Sequence, residues 1–210
     1  MRIVTIARQL GARGSEVARL LAWRLTAGLV DDAFIEEVSR RAHLSSEEVA
    51  AEDERPRRLS REIVGMFATA PVVMSAAWLP VDFDDWPDPR RLILDATREV
   101  IEERARQGNV VIVGRGAAFA LHHRTDVRTV LLSAPVGARI EALMERSVIS
   151  ESEARRRVRR ADANLARYIH EVYGADWLDP SQYDLTLNPL RLGEALSVDI
   201  IRASLGDLSA

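Results

Sequence analysis

A chain of 210 residues, 47% hydrophobic and 29% charged, is long enough for one domain with a sizeable core and reads as globular. The formal net charge of −3 and the pI near 5.9 give no general attraction to nucleic acid, leaving only local arginine clusters to consider. There is no cysteine, which excludes disulfides, thiolate metal sites and cysteine nucleophiles and fits a reducing cytoplasm. Ile3-Val4-Thr5-Ile6 begins a buried strand at once, with no basic-then-apolar leader before it. The strand runs into a loop, Ala7 to Ser15, holding two glycines (Gly11, Gly14) and two arginines (Arg8, Arg13). Val17, Leu20, Leu21 and Leu25 then recur at helical spacing, and Gly28 is placed to stop the helix.

Strand, glycine loop and helix in succession form the arrangement that holds a phosphate. The helix start offers unpaired N–H groups and a positive dipole end, and glycines let the backbone approach the anion. The loop departs from the full G-x-x-x-x-G-K-[ST] pattern. With Ser15 in the hydroxyl position, Gly14 stands where the lysine belongs, Arg13 replaces the last loop glycine and Arg8 the first. All 29 basic residues are arginine, so positive charge on a phosphate here has to come from Arg8 or Arg13, through forked hydrogen bonds. The alternative is an ordinary strand-to-helix turn.

Leu29-Val30 ahead of Asp31 reads as a very short second strand, and residues 32–67 as mostly helix, with a helix-start signature at Ser45-Ser46-Glu47-Glu48 and a solvated charged run from Glu52 to Glu62. Ile63 to Val81 is uncharged and reaches the length of a spanning helix. Pro71, Pro80 and many small residues interrupt it, so it reads as buried helix rather than a membrane span. Pro80 to Pro89 is a linker, and Asp88-Pro89 opens a long amphipathic helix ending at Gln107-Gly108-Asn109.

Val110 to Val113 and Val127 to Leu132 are buried strands, the first followed directly by Gly114-Arg115-Gly116. Helices are expected over Val136–Arg146, over Ser150–Tyr173 (one helix or a helix pair) and from Leu192 to Leu205, with a last strand from Tyr183 to Leu187. Strands separated by helices predict a parallel sheet covered on both faces, with ligands at the carboxyl ends of the strands. Those ends carry the Arg8–Ser15 loop, Asp31, Gly114-Arg115-Gly116, Ser133 and Asn188.

Arg115, between two glycines at a strand end, suits a phosphate grip, or else pairs with a helix acid. In the cluster Arg155-Arg156-Arg157 with Arg159-Arg160, helical spacing puts Arg156, Arg160 and Arg167 on one face. Asp162 is placed to orient Arg159, or forms a surface ion pair of little weight. His122-His123 lacks further ligands at metal spacing and reads as surface. Together these features suggest phosphoryl transfer, with Ser15 the one candidate protein ligand for Mg2+ and no Walker-B-type carboxylate evident.

The chain resembles the cytidylate kinase-like family, relatives of bacterial nucleoside monophosphate kinases. The likeness rests on Ile6-Ala7-Arg8-Gln9-Leu10-Gly11, Val30-Asp31, Val111-Ile112-Val113-Gly114-Arg115-Gly116-Ala117, Tyr173-Gly174-Ala175-Asp176-Trp177 and Tyr183-Asp184-Leu185, in that order along nearly the whole chain. The resemblance implies an α/β P-loop kinase fold with a five-stranded parallel sheet, helices on both faces and a helical lid. It implies a single domain over 1–210, with a helical acceptor-side insert at about 32–107 and an arginine-rich lid at about 148–172. ATP is the implied donor and CMP or dCMP the acceptor. Arg8 and the stretch Gly11, Ala12, Arg13, Gly14, Ser15 and Glu16 would hold donor phosphates, with Arg13 also acting on the transferred group. Arg115 would grip the acceptor phosphate, Asp31 and Asp162 would lie at the acceptor, and Arg156 and Arg160 would close with the lid.

Two positions depart from the family pattern. Relatives often carry an acid at Ala118 and an arginine at Leu165, three residues after Asp162. An active kinase and a catalytically silent nucleotide-binding module acting through partners, or through a second copy of the chain, therefore both remain open.

Overall fold

The computed structural model describes residues 2–31, 34–42 and 89–206. The expected features at 45–48, 52–62, 63–81 and 80–88 lie outside these residues. The chain divides into two units, residues 1–32 with 101–210, and residues 33–100. The second unit contributes α2 (Phe34–Ala42), where Glu37 pairs with Arg40 and Arg41, and the first part of α3 (Pro89–Gln107).

The first unit is built on five parallel strands: β1 (Ile3–Arg8), β2 (Gly28–Val30), β3 (Val110–Val113), β4 (Val127–Leu132) and β5 (Leu185–Leu187), in the order β2-β3-β1-β4-β5. The apolar runs become central strands because both of their faces are covered. On one face Val4, Ile6, Val111, Val113, Val130 and Leu132 pack against Val17 and Leu21 of α1 (Gly14–Leu25) and Val198 and Ile201 of α8 (Glu194–Ser204). On the other, Leu131 meets Ala118 of the short α4 (Ala117–Ala120), Ile169 of α6 (Glu151–Tyr173), Trp177 and Tyr183. α6 is one unbroken helix capped by Ser150, and Ile140 and Leu143 of α5 (Val136–Ser147) pack on its Ala154 and Val158.

Three boundaries differ from expectation. The first helix ends at Thr26, whose left-handed backbone (φ 51°) closes the last turn, and Gly28 opens β2 instead of stopping the helix. The last strand is only Leu185–Leu187, because the Asp184 carboxylate takes the Thr129 amide (2.7 Å) that a longer ladder would have used. The closing helix starts earlier and breaks in two, as α7 (Pro189–Leu192) and α8, with Gly193 between them at φ 81°.

Candidate active site

β1 lies between β3 and β4, so the strand order reverses at its carboxyl end and leaves a crevice there. The loop at that end packs tightly on α5. Gly11 has φ +85°, and a Cβ on it would stand 2.4 Å from the Arg139 carbonyl oxygen, so only glycine fits. α1 begins directly after Arg13, a left-handed residue (φ 57°), with no side chain capping it. Its first-turn residues Gly14, Ser15 and Glu16 line a cavity of about 340 Å³. The loop contributes Arg8, Gln9, Leu10, Gly11 and Arg13 to the wall, α5 contributes Arg146, and α6 contributes Ala161, Asp162 and Leu165. A second cavity of about 280 Å³ shares Gly11, Arg13, Glu16 and Arg146 and adds residues of α5 and Glu194 of α8.

The structure thus brings most of the expected loop residues to one place, while Ala12 is fully buried behind them. Ion pairs hold the cavity's charges. Arg13 Nη1 lies 3.2 Å from Glu194 Oε1, Arg146 Nη1 lies 3.1 Å from Glu16 Oε1, and Glu16 Oε2 is buried without a partner. Arg8 Nη2 reaches Asp31 at 3.4 Å, and its Nη1 lies 2.7 Å from where a Cβ on Gly114 would stand, so Arg8 spans from the loop to the end of β3. Half-exposed pairs such as Arg13–Glu194 contribute about 1 kcal/mol or less, so an anion of higher charge is able to displace the carboxylate.

Asp162 does not orient Arg159. Both its oxygens receive the fork of Arg139, from Nη1 at 3.0 Å and Nη2 at 2.7 Å, because this side of α6 faces α5 while Arg159 points to solvent. Arg139 is 3% exposed and also donates to the carbonyls of Ala134 (3.0 Å) and Leu10 (3.3 Å). Arg139 and Arg146 were missed by sequence reasoning. The signal was available: positions 139, 143 and 146 share a helical face, and Leu143 already marks that face as inward.

Arg115 follows β3 at φ 54°, flanked by Gly114 and Gly116, and its carbonyl accepts a hydrogen bond from the Tyr168 hydroxyl at 3.3 Å. Arg156 and Arg160 are exposed on α6 and line neither cavity. Arg156 and Arg157 both pair with Glu153, and the Arg157 hydrogen bond holds its carboxyl below the usual range. Ser15 stands at the cavity, and among the described residues no group of three His, Asp or Glu is arranged to hold a metal ion. His122 and His123 are exposed. No helix among the described residues is long and apolar enough to cross a membrane.

A five-stranded parallel sheet with a loop and uncapped helix at its central strand defines a P-loop kinase fold. Solved structures share it: an uncharacterized protein from Eubacterium ventriosum aligns over 98% of both chains at 20% identity with a TM-score of 0.66. A sugar kinase from Janibacter aligns over 100% of this chain and 96% of its own at 17% identity with a TM-score of 0.50. The profile of the cytidylate kinase-like family matches residues 3–189, and the chain belongs to that family. Similar curated proteins include the cytidylate kinases of Methanopyrus kandleri (35% identical, 50% of this chain, 59% of theirs) and Pyrococcus horikoshii (35%, 50% and 54%). The matched region is thus little more than half the length of these relatives.

Proposed function

We propose that this protein is a nucleoside monophosphate kinase that transfers the terminal phosphoryl group of ATP to CMP or dCMP. The observation that carries the reading is the uncapped start of α1 opening on a cavity rimmed by Arg8, Arg13 and Arg146. A phosphate oxygen of the acceptor attacks the γ-phosphorus, a P–O bond forms, and the bond to the ADP leaving group breaks. Such a transfer asks the protein mainly for position and charge.

First-turn N–H groups of α1 and the fork of Arg13 hold the donor phosphates. Arg146 supplies the charge that a loop lysine would bring, released from Glu16 as the phosphates enter. Arg8 lines the donor cavity and reaches across to Asp31, which with Arg115 takes the acceptor side. Arg156 and Arg160 close over the transferring group with the lid. Ser15, which lines the cavity, would hold Mg2+ together with the nucleotide and water, and the ion would supply neutralisation of phosphate charge.

A second reading, a silent nucleotide-binding module, is favoured by Leu165, which puts an apolar side chain on the cavity wall where relatives often carry an arginine. Calorimetric titration of ATP–Mg2+ and then CMP into wild type, Arg13→Ala and Arg146→Ala separates the two, together with a turnover assay. Each charge-assisted hydrogen bond contributes about 1.5–3 kcal/mol, so each variant should weaken ATP at least tenfold. Binding without turnover on any monophosphate selects the module. Absence of nucleotide binding by the wild type defeats both readings.

A further inference from the structure

Arg139 gathers three separate elements onto one rigid group. Its guanidinium holds the Leu10 carbonyl in the phosphate loop, the Ala134 carbonyl beyond β4 and both oxygens of Asp162 on α6. Its own carbonyl also presses on Gly11, in van der Waals contact too close for any Cβ. The loop is therefore fastened to this residue twice, through the side chain at Leu10 and through the main chain at Gly11. Leu10 packs in the same cluster as Ile140, Leu143, Ala154 and Val158, which join α5 to α6. Farther along α6, Tyr168 donates to the carbonyl of the left-handed Arg115.

We propose that Arg139 is a positioning residue that couples occupation of the phosphate loop to the placement of α6, and through it to Arg115. This rests on the kinase reading above. A guanidinium is planar and has fixed donor directions. When the Leu10 carbonyl shifts as the loop closes on an anion, the fork re-aims, and Asp162, held at two points, follows it. Every group it holds is polar and lies at the ligand edge of the sheet. A side chain that merely filled space between helices would not need four acceptors there.

Hydrogen exchange on the full chain, with and without ATP–Mg2+ at about 100 times its Kd, tests the coupling, since segments coupled to the site slow by up to about 100-fold under such saturation. In wild type, protection is expected in the loop (residues 9–14) and together with it in α6. In Asp162→Asn, which keeps the shape and loses the charge, the loop should remain protected and α6 should exchange as in the free protein. Arg139→Lys, which keeps the charge and loses the fork, should behave likewise and gives an independent reading if Asp162→Asn does not fold. In turnover, Asp162→Asn should lower kcat at least tenfold while KM for ATP changes less than twofold. Protection of α6 in the variants equal to wild type, or a parallel rise in KM for ATP, overturns the coupling and leaves the kinase reading standing. Loss of loop protection in the wild type overturns the kinase reading and the coupling with it.

Discussion

Replacing Gly11 with alanine tests whether the phosphate loop is held against α5 as tightly as the structure shows. The residue has φ +85°, and an added Cβ would meet the Arg139 carbonyl oxygen at 2.4 Å, its carbonyl carbon at 3.0 Å and its Cα at 3.1 Å. All three atoms are main chain, so no side chain can swing aside. Left-handed backbone costs an alanine about 1–2 kcal/mol. Relieving the contact requires moving α5 or the loop by roughly 1 Å, and overpacking of this kind costs about 1–3 kcal/mol. The sum, about 2–5 kcal/mol, is a large part of the 5–15 kcal/mol that holds a typical domain, and corresponds to a fall of about 4–20 °C in Tm. ATP affinity should fall at least tenfold, because the same shift carries the α1 N–H groups away from the phosphates. Gly137→Ala, in the first turn of α5 with nothing within 4 Å of the added Cβ, serves as the opposite case and should be neutral or stabilise by up to about 1 kcal/mol. Thermal unfolding and calorimetric ATP titration of the two variants give the comparison. Equal Tm values for Gly11→Ala and wild type would refute the packing argument.

Two further expectations concern the edge of the sheet. Asp184→Ala leaves the Thr129 amide and hydroxyl without their carboxylate acceptor (2.7 and 3.0 Å) and should cost about 1–3 kcal/mol by urea unfolding, while a loss below 0.5 kcal/mol would mean that water replaces it without penalty. Tyr183 is buried and donates to the Trp177 carbonyl at 2.7 Å, and burial pushes its hydroxyl pKa well up. A pKa raised on folding means that the unfolded chain loses the proton first, so the tyrosine's contribution is complete below about pH 10 and is lost as pH rises further. Tyr183→Phe should therefore start about 1 kcal/mol less stable at pH 8 and lose less between pH 9 and 11. Parallel alkaline slopes for the two proteins in urea titrations would contradict this.

The parts of the site that were legible in the sequence are those encoded by neighbours along the chain. β1, β3 and β4 announce themselves as short apolar, β-branched runs because both faces of a central parallel strand are buried. The loop from Arg8 to Ser15 is readable for the same reason, since strand, glycines and helix follow within one turn of chain. α3 and α6 begin and end where proline, serine and glycine signals place them. Boundaries failed where a long-range contact outbid a local signal: Asp184 shortens β5 by capping Thr129, and α1 ends before Gly28 at Thr26, whose carbonyl accepts from the Asn109 side chain at 2.8 Å.

Partner choice among the charges that pair across elements was invisible. The chain's 29 basic residues are all arginines; those with an acid one helical turn away, as Arg155 with Glu151 and Arg157 with Glu153, pair locally, but nothing along the chain says which arginines are drawn to the loop. Asp162 has Arg159 one turn away in sequence, yet its partner is Arg139, 23 residues earlier on another helix, and Glu16 meets Arg146 from 130 residues away. Among the described residues, the sequence by itself determined β1, β3, β4, the places of the helices and a glycine loop between strand and helix, because these follow from periodicity and backbone preference within a few residues. The strand order β2-β3-β1-β4-β5, the arrival of Arg146 at the loop and the burial of Arg139 against Leu10 and Asp162 were decided only by tertiary structure. Those contacts exist only once α5 is laid between the loop and α6, and that depends on how whole faces pack.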